Sequence, residues 1–276
     1  MLRIPSWFCA LSLVSFSAAA EAVVQIPVGP LLNARAVTTL TEGKLVTWTM
    51  GIDGNGGGDG YLTSAASIFH GDKNIKALPD TSLIPADARH PAIQLHWSNS
   101  DGTGNQTRAL HGADSFTVAV PQGIYSKLFL VFTSSEGSST LTFTLIYSDG
   151  EEKKTIELPD YFNVIAATDA NCFNLITDLA KWSKTNGVAE NNHHMVDGVE
   201  LHPAAKTLTA VKVAKTAKAY LVFWGATGIT TGTVAARATP LRRQAHGTGK
   251  LLRIEGLPSA SGESPSVTAD GRIGMP

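Results

Sequence analysis

Across residues 45–228, short apolar runs alternate with clusters of Gly, Ser, Asn, Asp and Pro, the pattern of an all-β sandwich. The clearest unit covers 124–158. Tyr125-Ser126-Lys127-Leu128-Phe129-Leu130-Val131-Phe132-Thr133 ends at a turn, Ser134-Ser135-Glu136-Gly137-Ser138. Thr140-Leu141-Thr142-Phe143-Thr144-Leu145-Ile146-Tyr147 then alternates Thr outward with Leu and Phe inward, a period of two that buries one face of a strand. Asp149-Gly150 reads as a two-residue hairpin turn, because Gly accepts the positive φ that such turns require. The chain returns over 151–158, completing a β-meander.

Further strands are predicted over 45–50, 92–97, 115–121, 207–213 and 219–226. Pro91, Pro121, Pro159 and Pro203 stand at the edges of these runs, where a missing N–H costs least. A short helical insertion is predicted over 175–184, with Asn174 as cap and Leu175, Leu179 and Trp182 on one face. Beyond Thr231 the character changes to Gly, Ser, Pro and the dibasic Arg242-Arg243, so 233–276 reads as a partly disordered C-terminal extension. The main domain is therefore expected over 21–232.

Composition narrows the class. Of 276 residues, 43% are hydrophobic and 16% charged, enough apolar material for a core beneath a mainly uncharged polar surface. A formal net charge of -1 gives no electrostatic footprint for nucleic acid or an anionic membrane, and neither is expected as a partner. Residues 1–20 read as a secretory signal peptide. Arg3 is the basic start, 7–16 the apolar stretch, and Ala18-Ala19-Ala20 the cleavage site, with Ala20-Glu21-Ala22 as the alternative. That stretch is shorter than the roughly 20 residues of a membrane span, so a secreted protein is expected. Cleavage removes Cys9 and leaves Cys172 alone in an apolar setting, the mark of an inert buried thiol. Asn105-Gln106-Thr107 is a glycosylation sequon in a polar loop.

Three phrases carry a family resemblance: the Gly-rich loop Gly54-Asn55-Gly56-Gly57-Gly58-Asp59-Gly60-Tyr61, the strand Val120-Pro121-Gln122-Gly123-Ile124-Tyr125-Ser126-Lys127-Leu128, and Leu145-Ile146-Tyr147-Ser148-Asp149-Gly150. In this order they resemble the galactose-binding-like jelly rolls that accompany many secreted glycoside hydrolases. The resemblance spans about 45–228 and implies a jelly-roll β-sandwich that binds a glycan. It also implies a structural calcium, which Asp53, Asn55 and Asp59 could hold with oxygen ligands at short spacing. Ser64 stands where an EF-hand would need its bidentate Glu, so the loop is no EF-hand. A free-standing binding protein rather than a module flanked by a glycosidase domain is expected, and a long segment, 166–202, is inserted before the last strands. Segments of that kind often cover a pocket.

That segment supplies the candidate ligand-binding residues Trp182, Asn192, His193 and His194, joined by Tyr61 of the Gly-rich loop. Trp48, Trp97 and Trp224 lie on apolar strands and are expected in the core. Adjacent histidines on an extended chain point to opposite faces, which argues against a zinc or copper site at His193-His194. Nucleophile, metalloprotease and phosphate-loop motifs are missing from the sequence. Two readings follow. The first is a secreted carbohydrate-binding or accessory module. The second is a small secreted natural-product enzyme, a cyclase or pericyclase of the Diels–Alderase type. It would work through a shaped apolar pocket beneath 166–202 that orients its reactants.

Overall fold

The computed structural model describes residues 21–53, 59–72, 75–184, 187–216 and 219–232, which form an all-β sandwich with antiparallel sheets and one short helix. In chain order the elements are β1 (Glu21–Ile26), β2 (Val37–Thr41), β3 (Lys44–Val46), β4 (Tyr61–Leu62), α1 (Ser64–His70), β5 (Leu83–Ile84), β6 (Ile93–Gln94) and β7 (Arg108–Leu110). They continue with β8 (Asp114–Ser135), β9 (Ser139–Tyr147), β10 (Gly150–Leu158), β11 (Cys172–Ser183), β12 (Gly187–Leu201), β13 (Thr207–Lys215) and β14 (Tyr220–Thr231). The expected signal peptide and C-terminal extension lie outside the described residues.

The 22-residue β8 organises the fold. Its first half pairs with β13, which continues to β9 and β10. Its second half pairs with β14 on one side and β12 on the other. The separate strands expected over 115–121 and from Tyr125 are thus one strand that changes sheets. The change falls where the β13 register shifts between Leu208 and Ala210, opposite Gly123 and Ala119. Pro121 occupies this bulge, where no ladder N–H is needed, and its carbonyl accepts the Tyr125 hydroxyl at 2.6 Å.

Between the sheets lies a core of alternating residues: Leu128, Leu130 and Phe132 from β8, Leu141, Phe143 and Leu145 from β9. The predicted meander is present as strands, but β13 separates β8 from β9. The hairpin loop is Ser148-Asp149, one residue earlier than expected, since Gly150 already pairs with Tyr147. A second core covers the opposite face of the β8–β14–β12 sheet. Phe129, Val131, Val222 and Trp224 point outward and are capped by Val37, Ile52, Tyr61, Leu95 and Trp97 of the N-terminal third.

Two corrections concern 166–202. The predicted helix over 175–184 is strand β11, and most of the segment forms the β11–β12 hairpin, which extends the sheet. Among the described residues the helix is α1. Thr63 Oγ1 caps it by accepting from Ala66 N–H at 3.3 Å, and Gly71 (φ 102) ends it. No described helix is long and apolar enough to cross a membrane.

Candidate functional site

Strands β8 and β12 stay paired from Leu128–Leu201 to Phe132–Asp197 and then part. Tyr161 fills the gap with its backbone. Its N–H donates to Ser134 O at 2.7 Å, and its carbonyl accepts from Met195 N–H at 2.9 Å. This wedge fixes the rim of the sandwich. Tyr161 is buried (2% exposed), whereas Phe162 is 43% and Val164 77% exposed.

The two histidines meet these rings. Phe162 stacks on His193 (centroids 4.8 Å, planes 25° apart), and Tyr161 stacks on His194 (4.8 Å, 28°). The His193 and His194 rings are themselves 4.6 Å apart. They therefore do not point to opposite faces, contrary to the rule for an extended chain. The β11–β12 register shifts repeatedly between Asn174 and Trp182, and Asp178 takes a left-handed φ of 60°. Such bulges re-aim side chains. His194 Nδ1 lies 2.9 Å from Leu179 O, which can only accept, so that nitrogen carries the proton.

Charge gathers beside the rings. Lys181 Nζ lies 2.8 Å from Asp53 Oδ2 and 3.5 Å from Asp59 Oδ2, and stands 5.8 and 6.0 Å from the centres of the Tyr161 and Phe162 rings. The Tyr161 hydroxyl donates to Asp53 at 3.2 Å. Burial by itself pushes the Asp53 carboxyl up, but hydrogen bonds with Glu136, Lys181 and Tyr161 outweigh it and hold the group below its ordinary range. Its hydrogen bond with Asp53 pushes Glu136 up. Asp160 completes the group, its Oδ2 accepting from Gly137 N–H at 2.7 Å. Asp53 and Asp59 thus face an internal ammonium, and a calcium ion on the same oxygens would have to displace Lys181.

The other candidates fall differently. Tyr61 is 1% exposed, stacks on Trp224 at 6.0 Å and donates its hydroxyl to Met195 O at 3.1 Å. Trp182 is 4% exposed, in a small core with Trp48 and Leu62. Gly60 pairs with Trp182 through both backbone hydrogen bonds, and the Trp48 ring lies where a Gly60 side chain would begin. Both aromatics, expected at the ligand, are buried in cores in this structure. The side chain of Asn192 and the whole of Asn55 lie outside the described residues. Trp48, Trp97 and Trp224 are buried as expected. So is Cys172, whose thiol burial pushes up to about 12. Phe162, Lys181 and Glu136 carry no assignment from the sequence, and Asp160 beside Tyr161 carries no defined role there. Asp160-Tyr161-Phe162 after Pro159 was the available signal, but no local pattern reveals that it enters a gap between distant strands.

The protein is thus an all-β sandwich with an aromatic, carboxylate-rich rim. No protein-family model matches the chain, and no curated protein matches it in sequence. Solved structures with partial likeness include the catalytic unit of a thermostable GH87 alpha-1,3-glucanase from Streptomyces thermodiastaticus strain HF3-3, at 12% identity and a TM-score of 0.29. The match covers 50% of this chain and only 22% of that one. A second is CBM28, a carbohydrate-binding module specific for non-crystalline cellulose, at 10% identity and a TM-score of 0.24, covering 53% of this chain and 82% of that one.

Proposed function

We propose that this is a secreted carbohydrate-binding protein of the galactose-binding-like jelly-roll kind, which takes a sugar of a glycan against the face of Phe162. One observation carries the reading. Phe162 is 43% exposed yet held flat by stacking on His193, with Lys181 and a group of carboxylates beside it. A fixed aromatic face receives the apolar side of a sugar ring, and neighbouring acceptors and an ammonium donor orient its hydroxyls. In this reading the cation beside Asp53 and Asp59 is the Lys181 ammonium, and binding does not require calcium.

Glycan-array screening followed by calorimetry tests it. Phe162→Ala removes the platform together with the ring's packing on Tyr161, His193 and His194, so a glycan ligand should bind at least about tenfold more weakly, with a small fall in Tm and the fold retained. A variant that binds as tightly as the wild type would overturn the reading.

A further inference from the structure

A second region of the sandwich has the makings of a separate site. Two neighbouring cavities, of about 330 and 240 Å³, share Asp87 and Arg89 as walls. The larger lies against Phe173, Asn174 and Thr177 of β11 and the stretch 165–167, and the smaller reaches Lys127 and Phe129 of β8. A volume near 300 Å³ is at the lower end of small-molecule sites, right for one sugar-sized ligand.

Its polar groups are arranged around one buried anion. Glu200 is 3% exposed, and its Oε1 lies 2.8 Å from Lys127 Nζ and 3.2 Å from His202 Nε2. Arg89 is third in line, with Nε 3.6 Å from Glu200 Oε2, beyond hydrogen-bond length. The guanidinium stands 5.5 Å over the Phe173 ring and donates one hydrogen bond, from Nη2 to Asp169 O at 2.8 Å. Its Nε is buried without a hydrogen-bond acceptor among the described residues. Of five N–H donors, most are thus uncommitted on the wall of a cavity. Asp87, the acid on the rim, spends Oδ1 on the backbone N–H groups of Arg89 and His90, at 2.7 and 2.9 Å.

Lys127 and Arg89 face two carboxylates, Glu200 and the rim's Asp87, so the formal charges balance, and what the groove offers a ligand is the uncommitted N–H groups of the guanidinium. A planar, aromatic-backed guanidinium with free paired donors matches a carboxylate, which it grips bidentately. We infer that this groove is a second binding site, for a small carboxylate-bearing ligand of about hexuronate size, held by Arg89 with Lys127 alongside. It is separate from the Phe162 rim and does not depend on the function proposed for that rim.

The test is calorimetric titration of the full mature chain with D-glucuronate, D-glucose and inorganic phosphate. Glucuronate should bind, weakening as salt is raised, while glucose does not and phosphate binds less well. Arg89→Gln should weaken glucuronate at least about tenfold. Because Arg89 also packs on Phe173, Ala167→Leu provides a second variant that fills the cavity and leaves the charges in place; it should weaken binding likewise. Phe162→Ala should leave glucuronate binding unchanged. Absence of glucuronate binding at millimolar concentration, equal binding of phosphate or glucose, or full binding by Ala167→Leu would each overturn the inference. None of these results bears on glycan binding at the rim.

Discussion

Asp197 offers a quantitative check on how the rim is built. It ends the β8–β12 pairing, is fully buried, and accepts a hydrogen bond from Asn174 Nδ2 at 2.7 Å. Its other oxygen has no hydrogen-bond partner among the described residues. Burial is the main reason its carboxyl rises to about 7; the Asn174 bond opposes the rise and Asp160 adds to it. An exposed aspartate titrates near about 4, so the gap amounts to about 4 kcal/mol. Between those two values the folded chain holds a proton that the unfolded chain has released. Stability therefore falls as pH rises from about 4 to about 7 and then levels off. From pH 5 to pH 8 this group alone should cost about 2.5 kcal/mol. Asp197→Asn keeps an oxygen to accept from Asn174 and cannot ionise. Any pH-independent cost of its amide, on the order of 1–3 kcal/mol, displaces the whole curve equally. Urea titrations of both proteins at pH 5 and pH 8 should show the variant gaining about 2.5 kcal/mol on the wild type, some 5–10 °C in Tm for a domain of this size. A difference constant to within about 0.5 kcal/mol would refute the buried, ionisable carboxyl and its link to Asn174.

Other expectations follow from the same packing. Lys181→Met removes the ammonium from Asp53 and Asp59 and should cost about 3 kcal/mol at pH 7, with partial recovery in acid as Asp53 protonates; urea titration at two pH values reads it. Neither calcium nor EDTA should move the Tm of the wild type, because that ammonium occupies the carboxylates, and a rise of Tm with calcium would show that Lys181 yields to the metal. Gly198→Ala puts a methyl into the Phe173 ring and should lower stability by about 1–3 kcal/mol in thermal melts. Cys172 should resist iodoacetamide at pH 8 in the native state and react after denaturation, since a thiol with a pKa near 12 supplies almost no thiolate.

Much of the sandwich was legible along the chain. The Thr/Leu/Phe alternation of β9 specifies a strand with one buried face, because a period of two permits nothing else there. Pro121 marks the bulge at which β8 changes sheets rather than the strand end expected there, and the tryptophans on apolar runs mark cores. The reading of 175–184 failed for a definable reason. Leu175, Leu179 and Trp182 satisfy a helical spacing, but β11 reaches its pattern through bulges, and only pairing with β12 selects between the two. The Ser64–His70 helix escaped notice because seven residues carry too little periodicity.

The rim depended on tertiary structure almost entirely. The Gly-rich loop and the 166–202 segment were recognised as its sources, yet Tyr61 and Trp182 went inward while Phe162 stayed out. Aromatic residues are equally content in a core or on a ledge, and burial is decided by what the rest of the chain places over them. Asp53 and Lys181 are separated by 128 residues, and their ion pair exists because β8 changes sheets and Tyr161 fills the gap that follows. Alternation along a strand fixes which side chains can face a core; which residues meet at its end is fixed by the long-range pairing of strands.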